Sequence, residues 1–387
     1  MNGFRGYRRA DGGVGTRNHL AIIPTVGCVN DVARKIAAEI PGARPLLHHQ
    51  GCAQLPPDQE QVTRVLIGLG TNPNVGAALI VGLGCEGVAP DPVAQGIAAS
   101  GRPVEVVSLQ ETGGYSKTVA AGIAIGRKFA AELATCQRTP ADIAELTIGI
   151  KCGASDTTQG LAANPAVGVA SDRIVAMGGT SIFTETTEIM GAEHVLARRA
   201  ATPEVGRQIC QSVVELERNL ERYGVDIRGG QPTRGNILGG ITSIEEKSLG
   251  AICKAGSAPI KAMLRYGERP PGRGLYFMDS PGREMEALTG LAATGAQVLV
   301  FATGRGAPQG FAITPVVKIS GNARTCQWLS EHIDVDVSGI IDGTLTLPDA
   351  GELVLRKILG AASGEDTKAE IIGYVEVMDI YVTGPSI

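Results

Sequence analysis

Apolar runs and helical periodicities alternate along the first third of the chain. Leu20 to Val26 is an apolar run rich in branched residues, and the segment from Val29 to Ile40 then shows helical spacing. The same alternation predicts further strands at 44–49, 77–82 and 104–109, and helices at 58–69, 88–99 and 115–136. Continuous apolar strands separated by helices are typical of a parallel sheet, which binds ligands at the carboxyl ends of its strands.

A second alternating region follows Arg138-Thr139-Pro140. It predicts strands at 146–151, 181–184, 275–278, 297–301 and 315–319, and helices at 203–223, 283–294 and 351–359. A glycine-rich connection at 228–250 is predicted to lack secondary structure, and such long connections are uncommon unless they are functional. We therefore predict an α/β fold with two three-layer domains, residues 1–139 and 140–387, each with a mainly parallel, Rossmann-like sheet.

The composition narrows the class of protein. Glycine supplies 53 of 387 residues without a third-residue period, and 43% of the residues are hydrophobic, which together exclude collagen and disfavour disorder. A net charge of −4 gives no general attraction to nucleic acid or anionic membranes, so the basic cluster of Arg5, Arg8 and Arg9 is interpreted as a solvated arm. No apolar run approaches the roughly 20 residues that span a bilayer, and no signal peptide is recognisable, so a cytoplasmic location is predicted.

Four of the eight cysteines lie where predicted strands end: Cys28 in TVGCVN, Cys52 in HHQGCAQ, Cys85 in GLGCEG and Cys152 in IKCGASD. A small residue at a crowded turn is the simpler interpretation of each one. The alternative is a metal site, because thiolates bind iron and the neighbouring His48, His49 and Glu86 are harder ligands. His48 and His49 point to opposite faces of a strand, and either could be an acid or base or a hydrogen-bonded structural residue.

Acidic residues form a second group. Glu185, Glu188 and Glu193 follow the strand predicted at 181–184, and Glu245, Glu246 and Lys247 end the glycine-rich connection. Carboxylates near a strand end suit a divalent cation with open positions for substrate oxygens. The alternative is ordinary acidic residues at helix starts.

Polar and glycine-rich segments suggest sites for an anionic ligand. Asn236, Gly239 and Gly240 lie in GNILGGITS, and Arg305 lies in TGRGAPQG, where backbone N–H groups and a guanidinium could hold a carboxylate. The segment KCGASD adds Lys151, Ser155 and Asp156. No Walker A sequence and no clean GxGxxG follows a strand, so a nucleotide or dinucleotide is not favoured.

Ordered motifs along nearly the whole chain resemble a known family: GYRRADGGVGTRNH at 6–19, HHQGC at 48–52, NPNVGAALIVGLGCE at 72–86, KCGASD at 151–156, ETTEIMGAE at 185–193, GNILGGITSIEEKSLG at 235–250, MDSPG at 278–282 and TGRGAPQG at 303–310. They resemble the altronate and galactarate dehydratases, together with the large subunit of sulfolactate sulfo-lyase. Ala53 and Ala154 stand where the family commonly has glycine, and Ser280 stands in place of threonine.

The resemblance implies a lyase that acts on a small polyhydroxy or sulfonated acid with Fe²⁺, Mn²⁺ or another divalent ion. Because longer members carry a small N-terminal domain of the SAF type, it also implies a separate small SAF-domain subunit and an oligomer. Alternatives that stay open are release of sulfite instead of water, a non-catalytic subunit that binds a sugar acid or iron, and an Fe–S cluster on Cys28, Cys52, Cys85 and Cys152.

The implied site residues fall into three groups. The metal ligands are Cys52, Cys85, Glu86, Cys152 and Glu185; the acid, base and other catalytic residues are His48, His49, Lys151 and Glu188; the substrate-binding residues are Arg17, Ser155, Asp156, Asn236, Gly239, Gly240 and Arg305.

Overall fold

The computed structural model describes residues 3–375 and 378–387. Its strands are β1 Gly3–Arg8, β2 Val14–Gly15, β3 His19–Pro24, β4 Ala43–Pro45, β5 Val75–Gly82, β6 Val104–Ser108, β7 Thr139–Asp142, β8 Thr147–Gly153, β9 Thr180–Thr184, β10 Ile260–Leu264, β11 Gly274–Met278, β12 Val298–Thr303, β13 Val316–Ser320 and β14 Val335–Asp336.

The helices are α1 Asn30–Ala38, α2 Pro56–Gly70, α3 Pro90–Ala98, α4 Leu109–Thr112, α5 Tyr115–Ala134, α6 Asn164–Ala176, α7 Glu193–Ala197, α8 Pro203–Glu221, α9 Ile227–Gly230, α10 Arg234–Leu238, α11 Ile244–Ile252, α12 Glu284–Ala293, α13 Ala323–Trp328, α14 Gly339–Asp342, α15 Leu347–Ala362 and α16 Lys368–Ile371. Short helical turns lie at Gly27–Val29, Ile143–Glu145, Gln159–Ala163, Thr186–Glu188 and Cys253–Ala255.

The N-terminal half contains a parallel four-stranded sheet in the order β4-β3-β5-β6. Every residue of its central strand β5 is buried, because helices cover both faces. Alternate residues of β3 pack in opposite directions, so that Ile22 joins the core under α1 and α5, and Ile23 joins the core under α2 and α3. This half is the predicted three-layer α/β arrangement.

The C-terminal half contains a parallel seven-stranded sheet in the order β10-β11-β9-β8-β12-β13-β14. One face packs against α6, α8 and α15, where Val167, Ile209 and Val354 share a core. The other face packs against α12, which also contacts α2 of the N-terminal half. The predicted fold class is therefore confirmed in both halves, and the two sheets share part of one core.

Chain segments cross between the halves. Strand β1 pairs with both β2 and β7 in a small antiparallel sheet. The last residues return to the N-terminal half, where the Ile387 amide donates to the Ala53 carbonyl at 2.9 Å and the Thr383 amide to Asp58 at 3.1 Å. The predicted boundary near residue 140 falls on β7 and stays a prediction.

The glycine-rich connection at 228–250 differs from its prediction. It contains α9, α10 and α11, so the absence of secondary structure was wrong. Local capping explains α10 and α11: Thr233 and Asn236 form a reciprocal capping box, and the Ser243 side chain accepts from the Glu246 amide. Among the described residues, no helix is long and apolar enough to cross a lipid bilayer.

Candidate active site

Both parallel sheets have a point at which the strand order reverses, and such points form crevices at the carboxyl ends of the strands. In the four-stranded sheet the point lies between β3 and β5. In the seven-stranded sheet it lies between β8 and β12. The predicted site residues, with the exception of Arg17, concentrate in the loops at these two edges and in the segments packed on them.

We call the first region the thiol edge and define it as residues 25–30, 46–54 and 83–88, which follow β3, β4 and β5. The three loops are joined by backbone hydrogen bonds, from the Gly27 amide to the Gln50 carbonyl at 3.0 Å and from the Gly87 amide to the Gly51 carbonyl at 2.9 Å. Gly51 has a φ of 109°, and a Cβ there would lie 2.0 Å from the Thr25 carbonyl oxygen. Only glycine permits this close approach.

The thiol edge presents its sulfur atoms to solvent, because Cys28, Cys52 and Cys85 are all exposed. The two histidines are placed differently. His48 is buried, its Nε2 lies 2.7 Å from the Pro24 carbonyl oxygen, and burial lowers its pKa to about 4. His49 is half exposed, with its Nδ1 3.2 Å from a carboxylate oxygen of Asp379. His48 is therefore neutral near pH 7 and His49 is the imidazole that a ligand can reach.

Glu86 is held inside its own loop. Its carboxylate accepts from the Leu83 amide at 2.9 Å, the Gly84 amide at 2.6 Å and the Thr25 hydroxyl at 2.8 Å. Partial burial opposes ionisation, but the sum of these hydrogen bonds lowers the pKa of Glu86 below its usual range. The carboxylate closes the β5 loop onto β3.

We call the second region the lysine edge and define it as Lys151, Cys152, Glu185 and Lys254. All four are buried at the carboxyl ends of β8 and β9. One Glu185 oxygen accepts from Lys254 Nζ at 2.6 Å and from the Cys152 amide at 2.8 Å, and the other lies 3.2 Å from Lys151 Nζ. Burial opposes the charge on Glu185, but the two ammonium groups together with these hydrogen bonds lower its pKa.

The charged groups of the lysine edge stabilise one another. Burial disfavours the ammonium of Lys254, yet the adjacent Glu185 carboxylate raises its pKa overall. Burial is also the main reason that the pKa of Cys152 rises to about 12, so its sulfur is a thiol. Lys151 Nζ lies 4.3 Å from the centre of the Phe301 ring and 3.9 Å from Glu284 Oε1.

Two atoms of the lysine edge are buried without a hydrogen bond, Lys151 Nζ and Glu185 Oε1. Glu185 also has a φ of 86°, a left-handed conformation that costs a non-glycine residue roughly 1–2 kcal/mol. Unmade hydrogen bonds and a strained backbone are found at functional sites, because a fold retains them only where other interactions compensate.

Beside the lysine edge lies a cavity of about 610 Å³ lined by Ser155, Asp156 and Lys247. Lys247 Nζ is 2.9 Å from Glu188 Oε1, and both side chains are 9% exposed. The second carboxylate oxygen of Glu188 is buried and has no hydrogen-bond partner. Glu188 is therefore a carboxylate with one free oxygen, held by an ammonium that reaches the cavity.

The predicted substrate-binding loops converge around this cavity. The Asn236 side chain donates to the Ser155 carbonyl at 3.0 Å, and the Arg305 amide donates to the Ala154 carbonyl at 2.9 Å. The Thr157 amide donates to the Gly239 carbonyl at 3.1 Å. These contacts bring the loops after β8 and β12 together with α10, although they are far apart in sequence.

Some polar groups in these loops already have hydrogen-bond partners within the protein. The Gly239 and Gly240 amides donate to carbonyls of α10, and the Asp156 carboxylate accepts from Thr158, Gln159 and Asn322. The exposed Arg305 uses one guanidinium nitrogen to bind the Gly235 carbonyl at 3.0 Å, which leaves its other donors at the surface. Arg305 is consequently the better placed anion-binding group.

Arg17 does not lie with the other predicted residues. Its guanidinium forms a two-point ion pair with Glu370 at 2.8 and 2.9 Å and also donates to the Ala361 and Glu365 carbonyls. The side chain is only 9% exposed. In this arrangement Arg17 joins the N-terminal segment to the C-terminal helices, and a substrate contact is not part of it.

A short series of contacts connects the two edges. His49 contacts Asp379, and Asp379 contacts Arg283 at 2.9 Å. Arg283 precedes Glu284, whose carboxylate lies 3.9 Å from Lys151 Nζ. The start of α12 and Asp379 thus lie between the thiol edge and the lysine edge.

The predicted metal ligands do not form a metal site in this arrangement. Across residues 3–375 and 378–387, no group of three or more histidine, cysteine, aspartate and glutamate side chains is arranged to hold a metal ion. Glu185 already contacts two ammonium groups, and Glu86 is bound to its own loop. The donors therefore do not fit a divalent ion as they stand, and the assignment of the five ligands stays a prediction.

Sequence reasoning missed Lys254, Glu284 and Asp379. Lys254 comes just after the end of α11 and lies about a hundred positions from Cys152 in sequence, so no local spacing connects the two residues. A lysine within the apolar stretch AICKAG was the one available signal, since a lysine is rarely buried unless it is paired.

Models of one known protein family match both halves of the chain. Residues 143–383 match the family described as "D-galactarate/Altronate dehydratase, C-terminal", and residues 6–134 match "D-galactarate dehydratase/Altronate hydrolase, second domain". The chain is 40% identical to the (2R)-sulfolactate sulfo-lyase subunit beta of Chromohalobacter salexigens, over 96% of each chain. It is 34% identical to the altronate dehydratase of Bacillus subtilis, over 92% of this chain and 72% of that protein, and 35% identical to the galactarate dehydratase (L-threo-forming) of Escherichia coli, over 94% and 73%.

Proposed function

We propose, from the premise that the chain belongs to the family of D-galactarate and altronate dehydratases, that this lyase removes the C3 substituent of a small 2-hydroxy acid to give a 2-keto-3-deoxy acid. One observation carries the proposal. Next to the loop that follows β8, Lys247 lines a cavity of about 610 Å³ and contacts Glu188 beside the buried lysine edge. Carboxylates and ammonium groups in such a position suit proton abstraction and stabilisation of the resulting negative charge.

In the proposed reaction the free oxygen of Glu188 removes the C2 proton. Lys247 holds Glu188 in place, because its ammonium lies 2.9 Å from the other carboxylate oxygen. The electron pair of the broken C–H bond forms a C2–C3 double bond, and the C3 substituent leaves with its own bonding pair. The product is an enol, which takes up a proton at C3 and loses the proton of its 2-hydroxyl to become the 2-keto acid. The exposed guanidinium of Arg305 is the proposed contact for the anionic end of the substrate.

We propose that the lysine edge acts through the positive electrostatic potential of its two ammonium groups. Two ammonium groups contact a single carboxylate, and all three are removed from solvent, where electrostatic interactions are strengthened. Negative charge that develops on the substrate carboxylate and C2 during proton removal would be stabilised by this positive region. His49 lies on the opposite side and is a second proposed acid or base, since its imidazole is accessible.

The leaving group separates two candidate reactions. Loss of water would make the protein a dehydratase of a sugar acid such as altronate or galactarate. Loss of sulfite is favoured by a specific observation: the sulfo-lyase subunit matches this chain at 40% identity over 96% of both, whereas the dehydratases match at 34–35% and are longer. Since that relative is named subunit beta, we also propose a separate small partner subunit for this chain.

The test is a substrate panel. The protein is incubated with altronate, galactarate and 3-sulfolactate, each with and without a divalent ion and the small subunit, and 2-keto acid and sulfite are assayed separately. Formation of sulfite together with pyruvate supports the second reaction, and a 2-keto-3-deoxy acid without sulfite supports the first. Substrate binding without turnover under every condition would favour the non-catalytic alternative.

The role of Glu188 is tested with Glu188→Gln, which keeps the shape of the side chain but removes the base. The turnover number should fall by about 10²–10⁴-fold, the usual contribution of a general base. The matched control is Glu132→Gln on the exposed face of α5, which should keep full activity. Full activity of Glu188→Gln would assign the base elsewhere.

Dependence on Fe²⁺, Mn²⁺ or another divalent ion stays a prediction. Activity is measured after chelation and after each ion is added back. Loss of activity on chelation, with recovery when one ion is added, supports a requirement for that ion. Unchanged activity after chelation would contradict a metal requirement.

A further inference from the structure

The lysine edge contains a contact that the proposed reaction does not use. Lys254 Nζ lies 3.1 Å from Cys152 Sγ. Each of the two residues is 1% exposed. An amine nitrogen and a thiol sulfur are therefore held in direct contact inside the protein, at a separation that one inserted oxygen atom can bridge with small movements of the Lys254 side chain.

Both partners are fixed by their surroundings. Cys152 lies in β8, paired with Ala302 of β12 on one side and near β9 on the other. Lys254 lies in the helical turn 253–255, which packs against β8 and β9, and its ammonium is also held by Glu185 at 2.6 Å. Two groups held in this way lose little orientational entropy when they react, which raises their effective concentration relative to each other.

We propose that Cys152 and Lys254 form a covalent nitrogen–oxygen–sulfur bridge when the protein is exposed to dioxygen. The Lys254 ammonium gives one proton to the Glu185 carboxylate, 2.6 Å away, which leaves a neutral amine. The amine then loses one N–H hydrogen and the thiol loses its S–H hydrogen. One oxygen atom of dioxygen forms the N–O and O–S bonds, and the other leaves as water with the two hydrogens. Nitrogen and sulfur are oxidised and dioxygen is reduced.

The bridge would change the charge of the lysine edge. The nitrogen of an N–O–S bridge is not an ammonium, so Lys151 would remain of the two ammonium groups that contact Glu185. Other thiols cannot give the same product so readily: Cys28, Cys52 and Cys85 are exposed, and no contact with a lysine amine is found for them among the described residues. Their oxidation would give sulfenic acid or disulfides instead.

Mass spectrometry of the full chain tests the bridge directly. One sample is purified without oxygen and another is exposed to dioxygen. The exposed sample should gain about 14 Da, one oxygen minus two hydrogens, and about 16 Da with ¹⁸O₂, whereas a sulfenic acid adds about 16 Da and a disulfide loses about 2 Da. After tryptic digestion, residues 152–173 should be joined to residues 248–261, with no cleavage after Lys254, and a thiol reductant should separate them.

The matched control is Cys253→Ser, which removes the exposed thiol next to Lys254 and should leave the bridge intact. Cys152→Ser and Lys254→Arg should each abolish it. If either variant does not fold, the isotope shift and the joined peptides of the unsubstituted chain decide the question alone. The absence of the joined peptides after oxygen exposure, or their presence in Cys152→Ser, would overturn the proposal, and neither outcome depends on which substrate the enzyme uses.

Discussion

The thiol edge and the lysine edge both lie at the carboxyl ends of strands in a parallel sheet, but they differ in how their reactive groups are exposed and paired. The thiol edge leaves Cys28, Cys52 and Cys85 exposed and keeps the buried His48 neutral. The lysine edge buries full charges and compensates them with one another. The same fold position can therefore hold either reactive groups open to ligands or a desolvated charge network.

The difference has an energetic consequence. At the thiol edge Glu86 accepts from backbone amides of its own loop, and His48 contacts the Pro24 carbonyl, so each can change almost independently. At the lysine edge, Glu185 contacts both Lys151 and Lys254, so loss of Glu185 leaves two buried ammonium groups without their main partner. Breaking a buried ion pair by removing one partner is strongly destabilising.

The largest expected effect is that of Glu185→Gln. The amide keeps the shape of the side chain but leaves Lys151 and Lys254 uncompensated, so the free energy of unfolding should fall by about 3–5 kcal/mol. Urea denaturation followed by circular dichroism measures the change.

Glu86→Gln at the thiol edge is the matched comparison. Glu86 is held by neutral backbone and hydroxyl donors, so its replacement should cost only about 1–2 kcal/mol. Equal losses for the two variants would contradict the distinction between the edges.

The second prediction concerns acid, which should affect the thiol edge before the lysine edge. Burial lowers the pKa of His48 to about 4, whereas the unfolded chain has a value near 6.5. Between about pH 6.5 and pH 4, His48 binds a proton in the unfolded state but stays neutral in the folded state. The stability contributed by neutral His48 is therefore complete above about pH 6.5 and is lost as the pH falls toward about 4.

This loss can be isolated with His48→Gln, whose amide can still donate to the Pro24 carbonyl. Between about pH 7.5 and pH 5, the unsubstituted protein should lose about 2 kcal/mol more than the variant. Glu185 should contribute little in this interval, because its lowered pKa keeps it ionised in the folded state and its unfolded value lies near 4.5. An identical pH dependence of the two proteins would show that His48 is not the group responsible.

The sequence predicted the parts of the molecule that local pattern determines. Strand β5 and helix α2 were expected from apolar runs and helical spacing, and both are present with small differences at their ends. The family was also predicted from ordered motifs, and the comparisons confirm it. The expected position of the chemistry, at the carboxyl ends of the strands, follows from the α/β fold itself.

The partnerships between side chains could not be predicted in the same way. The contacts of Glu185 with Lys254 and of His49 with Asp379 join segments far apart in the chain, and their geometry depends on how helices and the C-terminal segment pack. The glycines at 239 and 240 likewise suggested free amides, but capping by Thr233 makes a helix whose carbonyls accept them. The spacing of residues along the sequence does not indicate these tertiary contacts.

The smallest expected effect compares the two edges through their backbones alone. Ala53 follows Cys52 at the thiol edge with a φ of 52°, and Ala154 follows Cys152 and Gly153 at the lysine edge with a φ of 49°. A left-handed conformation is strained for alanine and free of strain for glycine, so Ala53→Gly and Ala154→Gly should each stabilise the protein by about 0.5–1 kcal/mol after the entropy cost of glycine is included.

Thermal and urea denaturation of both variants test this, with Ala131→Gly as the control. Ala131 is exposed inside helix α5, where glycine should destabilise by about 1 kcal/mol. Because the strain is local, it should be relieved equally at both edges, unlike the charge effects. If Ala154→Gly instead destabilises while Ala53→Gly stabilises, the β8 loop depends on a rigid residue beside Ser155 and Asp156. The two edges would then differ in backbone order as well as in charge.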